Sequence, residues 1–167
     1  MNLNQSREEI LSHLTSGVEQ LETALQGLSE ASLDLAEAPG EWTIRKIVHH
    51  LADDDDFWSM PLKKAIATPG APIRLETFPG NKPREEALAF DNRRIAESLA
   101  LIKTHRLAMA ELTGFFIADW ESCYIVLVDR PGKPDKVLTL EWVIGILSEH
   151  LNEHLMTIED IKRKNGL

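Results

Sequence analysis

The chain has 167 residues, of which 43% are hydrophobic and 27% are charged. This composition is ordinary for a soluble globular protein, and the length suits one domain, spanning residues 1–167, with a sizeable core. The formal net charge is −9. Because affinity for nucleic acid comes largely from Lys and Arg side chains that neutralise phosphates, we expect no nucleic-acid partner.

The cysteine content and the hydropathy pattern are compatible with a reducing, aqueous compartment. Cys123 is the only cysteine, so the chain can form no intrachain disulfide. It precedes the strand-like run 124–128, where a buried, unreactive thiol is more common than a nucleophile. No stretch approaches the roughly 18 apolar residues that cross a bilayer, and the N-terminus lacks a basic segment followed by an apolar run. We therefore expect a cytoplasmic protein with no membrane partner.

Two long helices are predicted in the first half of the chain. The first, over residues 5–28, begins with Ser6 and Glu9 at capping-box spacing. Apolar residues then recur at steps of three and four, as on one face of a helix: Leu11, Leu14, Val18, Leu21, Leu25 and Leu28. The second helix is predicted over 43–67, with Thr43 as its N-cap.

The second helix carries two adjacent histidines and a run of aspartates. His49 and His50 both flank its buried stripe, and His50 lies three residues after Ile47, which modestly favours it as the inward-facing ring. Asp53 and Asp54 follow one turn later. An acidic run is usually solvated, but these carboxylates are close enough in sequence to orient a nitrogen of His50 or to approach a bound metal ion.

A long crossover and a third helix are predicted next. Residues 68–83 contain too many Pro and Gly residues for a helix, and we expect Phe78 to anchor this segment in the core. Pro83 suits the first turn of a helix over 83–113, which has apolar residues on one side and many charges on the other. His105 lies among charged neighbours in this helix and is expected to be solvated.

Strand-forming and turn-forming residues precede the last predicted helix. Residues 124–128 are predicted to form a strand, 131–134 a turn and 137–138 a short returning strand, so we expect a β-hairpin or an extended loop. Thr139 is the predicted N-cap of a fourth helix over 140–164, whose acidic first turn and basic last turn match the helix macrodipole. The predicted fold class is all-α, a four-helix bundle with a long crossover.

The fourth helix places His150 and His154 four residues apart, on one face. The pair belongs to a stripe that a helix would normally bury: Val143, Leu147, His150, His154 and Ile161. Glu149 and Glu153 stand beside the pair and could assist as a base or as hydrogen-bond partners if they turn toward the same point. Such a pair also occurs as ordinary hydrogen-bonded histidines, but a further histidine from the second helix would complete a metal site of three imidazoles.

Three neutral imidazoles suit Zn, Ni or another first-row divalent ion and leave positions open for water or a substrate atom. Such an ion lowers the pKa of a water or a thiol that binds to it, which suits hydrolysis or thiol transfer. The alternative is a noncatalytic metal-binding stress or structural protein, in which the ion only fastens two helices together. A cavity beside the ion would favour the enzyme, and a sealed ligand shell would favour the structural role.

Two motifs together resemble the DinB/YfiT-like superfamily: Trp-Thr-Ile-Arg-Lys-Ile-Val-His-His-Leu-Ala-Asp at 42–53, and the late pair His150-x-x-x-His154. The resemblance spans most of the chain. It implies a metal-binding four-helix bundle in which one histidine of the second helix and two of the last bind a divalent ion. The positions that match are His50, His150 and His154.

The resemblance also implies a range of activities. Members with assigned chemistry include S-transferases that use bacillithiol and an isomerase that uses mycothiol. It therefore suggests thiol S-transferase-like or hydrolase-like chemistry on a small-molecule substrate, with a low-molecular-weight thiol as a candidate cosubstrate. The consecutive aspartates after the first motif weaken the thiol interpretation, because an acidic rim repels the carboxylates of such a thiol. Members are often dimeric, and Trp58 and Trp142 could extend an apolar surface for a homodimer.

Overall fold

The computed structural model describes residues 5–74, 81–128 and 132–167. Its long helices form the predicted four-helix bundle. They are α1 (Arg7–Leu25), α3 (Ile44–Ala67), α5 (Ala96–Gly114) and α6 (Leu140–Asn165), with the short helix α2 (Glu30–Leu33) between the first two. Helix α1 packs on α5 and α6, and α3 packs on the same two helices.

Side-chain caps begin three of the long helices at the predicted residues. Ser6 Oγ accepts a hydrogen bond from Glu9 N at 3.2 Å, and the Glu9 carboxylate accepts one from Ser6 N at 2.7 Å, which completes the capping box. Thr43 and Thr139 each accept the backbone N–H three residues further on, at 3.2 Å. Helix α1 ends at Leu25, about one turn earlier than predicted.

A three-stranded sheet packs against α3 and α6. Its strands, in spatial order, are β1 (Ala71–Arg74), β2 (Tyr124–Val128) and β3 (Lys136–Thr139). Strands β2 and β3 are antiparallel, which confirms the predicted hairpin. Strand β1 runs parallel to β2 and was not predicted, because Pro72 argues against a strand except at a sheet edge, where β1 lies. The predicted anchor Phe78 and the first residue of the predicted turn, 131, lie outside the described residues.

The prediction of one continuous third helix over 83–113 is wrong. The chain instead forms α4 (Asn81–Ala87), a 3-10 turn (Phe90–Asn92) and then α5, which begins at Ala96. Ala89 takes a left-handed conformation, with a φ of 52°. The carbonyl oxygen of Arg93 accepts a hydrogen bond from Arg45 Nη1 at 3.0 Å, so a tertiary contact takes the place of a helical one. Apolar spacing alone does not reveal such a contact.

Apolar side chains from all four long helices form the core. One half lies next to the sheet and includes Ile10, Leu14, Leu62, Trp120, Ile125, Leu138 and Leu140. The other half includes Leu21, Ile44, Ile47, Leu51, Ile102, Leu151 and Ile158. Helices α1 and α6 approach closely at Gly17, where an added Cβ would lie 2.7 Å from the Leu151 side chain. Among the helices of the described residues, none has the length and apolar character that crossing a membrane requires.

A buried ion pair joins α3 to α5 and α6. Arg106 donates to both carboxylate oxygens of Asp55, at 2.7 and 2.9 Å, and to the carbonyl oxygen of Leu147 at 3.0 Å. The two charged side chains are 0% and 1% exposed. The adjacent His105, which was predicted to be solvated, is half-buried. Its side chain is only 21% exposed, with Nε2 at 3.8 Å from Asp56.

Candidate metal centre

Two packed helices bring together the three imidazoles predicted as ligands. Helix α3 presents His50, and α6 presents His150 and His154 one turn apart. His50 is buried, and the two histidines of α6 are half-buried. The cluster therefore lies in the seam between α3 and α6, with access from the surface along α6.

The three Nε2 atoms point at one another. His150 Nε2 lies 3.0 Å from His50 Nε2 and 3.0 Å from His154 Nε2. His150 Nε2 carries either one N–H or one lone pair, so it can make a well-directed hydrogen bond to only one of its two neighbours. Imidazoles bound tetrahedrally to one ion, with metal–nitrogen distances of about 2.0–2.1 Å, hold their nitrogens about 3.3 Å apart. The observed spacing is close to this value, so the residues fit a first-row divalent ion.

Burial favours the neutral form of each ring. It is the main reason that the pKa of His50 is lowered to about 3 and that of His154 to about 4, and the neighbouring histidines add to both effects. Burial also lowers the pKa of His150, although the nearby carboxylate of Asp54 opposes that shift. Neutral rings at physiological pH can donate lone pairs to a metal ion without first losing a proton.

Trp42 packs against the imidazole cluster. Its ring centroid lies 4.6 Å from that of His50, in an edge arrangement, and 5.8 Å from that of His154, in a stacked one. Its Nε1 donates a hydrogen bond to Glu85 Oε1 at 2.7 Å. Glu85 also lies 3.4 Å from Lys46 Nζ, so α4 holds the indole against α3. Trp42 can therefore fix the orientation of two candidate ligands.

Asp54 lies next to the cluster, whereas Asp53 does not contact it. Asp54 Oδ2 is 3.6 Å from His50 Nε2 and 3.8 Å from His150 Nδ1. Arg84 of α4 forms ion pairs with both aspartates, and its Nη1 lies 3.4 Å from Asp54 Oδ1. Burial raises the pKa of Asp54. Of the two candidates in this run, Asp54 is the one placed to act on the histidines.

His49, the alternative in α3, points away from the cluster. Its side chain is buried, with Nδ1 at 2.8 Å from Ser98 Oγ and Nε2 at 3.2 Å from the carbonyl oxygen of Arg93. Its ring also packs against Phe90, with the centroids 5.4 Å apart. His49 therefore links α3 to the start of α5, and His50 is the histidine of α3 that meets α6.

An open cleft of about 430 Å³ adjoins His150. Asp54, Glu149 and Glu153, three of the candidate acid–base residues, all line it. A second hollow, of about 250 Å³, reaches His154. A larger groove of about 670 Å³ runs between α1 and α6, but no histidine lines it, so we do not assign it to the site. The imidazole cluster is therefore not sealed by side chains.

The sequence did not reveal the contribution of α4. The predicted third helix was expected to carry its charges on the solvent side, yet Arg84 and Glu85 are only 5% and 8% exposed. Pro83, immediately before them, marks a helix start but does not show that this helix turns toward α3. The two charged residues reach the site because α4 is separate from α5.

Three comparisons place these features among known proteins. YfiT of Bacillus subtilis (strain 168) is 26% identical over 155 residues, which cover 88% of this chain and 79% of YfiT. A Bacillus pumilus (strain SAFR-032) protein, named like YfiT as a candidate metal-dependent hydrolase, is 25% identical over 170 residues, covering 97% of this chain and 90% of that protein.

The structure of YfiT, described as a probable metal-dependent hydrolase with an unusual four-helix bundle topology, superposes with a TM-score of 0.83. The match covers 99% of this chain and 93% of the YfiT chain at 22% identity, and it shows that the two share a fold. The sequence profile of the DinB superfamily matches residues 13–158, which include all three clustered histidines. The chain therefore belongs to the DinB superfamily.

Proposed function

We propose that this protein is a metal-dependent hydrolase that acts on a small molecule. The observation that carries the proposal is the convergence of three neutral Nε2 atoms beside an open cleft. A purely structural metal site is normally closed by its ligands, whereas a catalytic one keeps a position open. The two Bacillus relatives named as candidate metal-dependent hydrolases support this choice.

The residues have separate roles in this proposal. His50, His150 and His154 would hold a divalent ion, with Zn or Ni as the best candidates because imidazole suits both. When bound, the ion supplies Lewis acidity and lowers the pKa of water. Asp54 Oδ2, which is 3.6 Å from His50 Nε2, is placed to take up the proton that hydrolysis releases. Glu153 and Glu149 line the cleft further along α6 and can hold the substrate.

Thiol transfer is the weaker candidate. The charged residues that line the cleft, among those the structure describes, are carboxylates. They disfavour a thiol cosubstrate that itself carries carboxylates, because like charges in a confined space repel. A noncatalytic metal-binding protein would not need the cleft beside His150.

The proposal is tested on protein purified without a polyhistidine tag. Metal analysis should find about one divalent ion per chain, and a screen of chromogenic esters, amides and phosphoesters should find activity that chelation removes and Zn or Ni restores. His150→Ala should lose both the ion and the activity. His13→Ala, at an exposed histidine of α1, is the matched control and should keep both. Activity that persists in His150→Ala without the ion would contradict the proposal.

We also propose that the protein is a homodimer, as the family resemblance suggests. We propose that it is cytoplasmic, which agrees with its single cysteine. Trp58 and Trp142 are half-buried and pack against each other, with ring centroids 6.5 Å apart, so only part of each ring is left for a partner. Cys123 is buried, and burial raises the pKa of its thiol. Sedimentation at tens of micromolar tests the dimer, and a monomer there would count against it.

A further inference from the structure

The cleft beside His150 has two chemically different kinds of lining. The apolar lining consists chiefly of Trp58, Trp142 and Ile146, and the charged lining consists of Asp54, Glu149 and Glu153. These residues come from α3 and α6, the two helices that also carry the imidazoles. A molecule that reaches the metal centre through this cleft therefore contacts indole rings and carboxylates together.

The indole rings form a preformed apolar wall. Trp58 and Trp142 meet edge to face, with an angle of 67° between their planes, and both are half-buried. Lys136 of β3 places its Nζ over the Trp142 ring, 4.4 Å from the centroid. Trp142 therefore already binds an ammonium group on one side, as expected from the negative charge on the face of an indole. An aromatic or aliphatic group of a ligand can pack against the rest of this wall.

The carboxylates set the sign of charge that the cleft accepts. Asp54 is partly compensated, because Arg84 Nη1 lies 3.4 Å from it. Glu153 is exposed on α6 and Glu149, four residues earlier, is half-buried, so both line the cleft at its solvent side. Among the described residues that line the cleft there is no Lys or Arg. The carboxylates of Glu149 and Glu153 therefore attract a cationic group at the solvent side of the cleft, whereas an ion bound at His150 would attract an anionic group at the other end.

We propose that this cleft selects small molecules that combine an apolar, preferably aromatic, portion with an ammonium group. The ammonium group lies among the carboxylates of Glu149 and Glu153, and the apolar portion packs on Trp58 and Trp142. The hydrolysable bond then lies at the His150 end of the cleft. The inference rests on the proposed function for the reaction, but the binding preference can be measured without turnover.

Three probes of similar shape and different charge test the preference: phenethylammonium, 2-phenylethanol and 3-phenylpropionate. Their affinities for the metal-free protein are measured by isothermal titration calorimetry, because a carboxylate or an amine can coordinate a bound ion directly and hide the effect of the cleft carboxylates. Phenethylammonium should bind roughly 10-fold more tightly than 2-phenylethanol, and 3-phenylpropionate should bind most weakly. Raising the NaCl concentration should weaken the binding of the ammonium probe more than that of the alcohol.

Charge-neutralising variants test which carboxylate causes the preference for the ammonium probe. Glu153→Gln should weaken phenethylammonium binding by roughly threefold and leave 2-phenylethanol unchanged. Glu111→Gln, at an exposed position of α5 away from the cleft, removes the same charge and should change neither affinity. Trp142→Leu should weaken all three probes, since each contributes a phenyl ring.

The outcomes separate this inference from the proposed function. The inference is overturned if no probe binds, if the alcohol or the carboxylate binds as tightly as the ammonium, or if Glu153→Gln and Glu111→Gln act alike. If the preference is found but no ester, amide or phosphoester of these phenyl compounds is hydrolysed, the proposed hydrolase function fails and the cleft assignment stands. If hydrolysis is found without a charge preference, the hydrolase function stands and the cleft assignment fails.

Discussion

Helix α3 contributes to two clusters of polar side chains, the Asp55–Arg106 ion pair and the imidazole cluster. They differ in whether their polar atoms find hydrogen-bond partners. In the Asp55–Arg106 pair, donors face acceptors at 2.7 and 2.9 Å, and both side chains are at most 1% exposed. In the imidazole cluster, three nitrogens of the same kind converge next to a cleft, and His150 Nε2 lies 3.0 Å from each of the other two. The Asp55 carboxylate is satisfied without a ligand, although Arg106 Nη1 has no hydrogen-bond partner among the described residues, whereas hydrogen bonds cannot satisfy all three nitrogens of the cluster well. Buried polarity thus indicates a binding site only where like atoms converge and space adjoins them.

The run of aspartates in α3 shows the same contrast between neighbouring residues. Asp55 faces Arg106 of α5 and is buried, whereas Asp54 faces the histidines and Arg84 of α4. Successive residues of a helix point about 100° apart, so one acidic run serves different partners. The four consecutive aspartates therefore share no single role. The role of each carboxylate follows from the side chains that surround it.

Removal of one half of the buried ion pair should have the largest effect on stability. Arg106→Met leaves Asp55 charged and buried, so the free energy of unfolding should fall by about 3–5 kcal/mol. Urea denaturation of the metal-free protein measures the change. The double variant with Asp55→Leu should recover most of the loss, because an apolar pair needs no compensation. A loss below about 1 kcal/mol in the single variant would show that the pair is not a structural unit.

Removal of one imidazole should act through the metal and not through the fold. At a Zn or Ni concentration 100 times the wild-type Kd, the ion should stabilise the wild-type protein by about 2.7 kcal/mol. In His150→Ala this increment should nearly vanish, and the metal-free stability should change little. Equilibrium dialysis and urea denaturation, each with and without the ion, measure both quantities. Equal increments in His150→Ala and in the control His13→Ala would exclude a role for His150.

His49→Ala removes the histidine of α3 that points away from the imidazole cluster. His49 is 1% exposed and contacts Ser98 and the Arg93 carbonyl, so its loss should reduce metal-free stability by about 1–3 kcal/mol. The affinity for the ion should stay within a few-fold of wild type. Loss of the ion in His49→Ala, with retention in His50→Ala, would reverse our assignment of the α3 ligand.

The metal-free protein should lose stability as the pH falls below about 6.5. Unfolded histidines take up protons near that pH, whereas His50 and His154 stay neutral in the fold down to about 3 and about 4. The unfolded state therefore binds more protons in this window, and the free energy of unfolding should decrease by on the order of 2 kcal/mol for each of these two histidines between pH 7.5 and pH 5. Urea denaturation at both pH values measures it. His50→Gln should show a shallower pH dependence, and an unchanged slope would contradict the assignment.

The smallest predicted effect concerns Asp54. Asp54→Asn should weaken metal binding by roughly 10-fold, because the carboxylate lies beside two of the candidate ligands. Asp56→Asn removes an exposed carboxylate of the same run and should leave the affinity unchanged. Competition with a chelator indicator gives both affinities. Identical affinities in the two variants would limit Asp54 to a structural role.

Local sequence determined the elements and the residues that can bind a metal. The caps Ser6, Thr43 and Thr139 and the apolar spacing predict where three of the four long helices begin, because these signals act within a few residues. The four-residue spacing of His150 and His154 likewise places both on one helical face. The hairpin before α6 follows from strand-forming residues on either side of a turn.

Tertiary structure decided which side chains meet. Periodicity left His49 and His50 both open, and only the packing of α3 on α6 separates them. Likewise, the carbonyl of Arg93, between α4 and α5, accepts a hydrogen bond from Arg45, and the separate helix α4 brings Arg84 to Asp54. These contacts join residues that lie tens of positions apart, and their strength depends on burial and on the direction of each side chain. Short-range spacing determines neither the burial nor the direction of a side chain. The choice of His50 over His49 and the contribution of α4 therefore depend on how the helices pack.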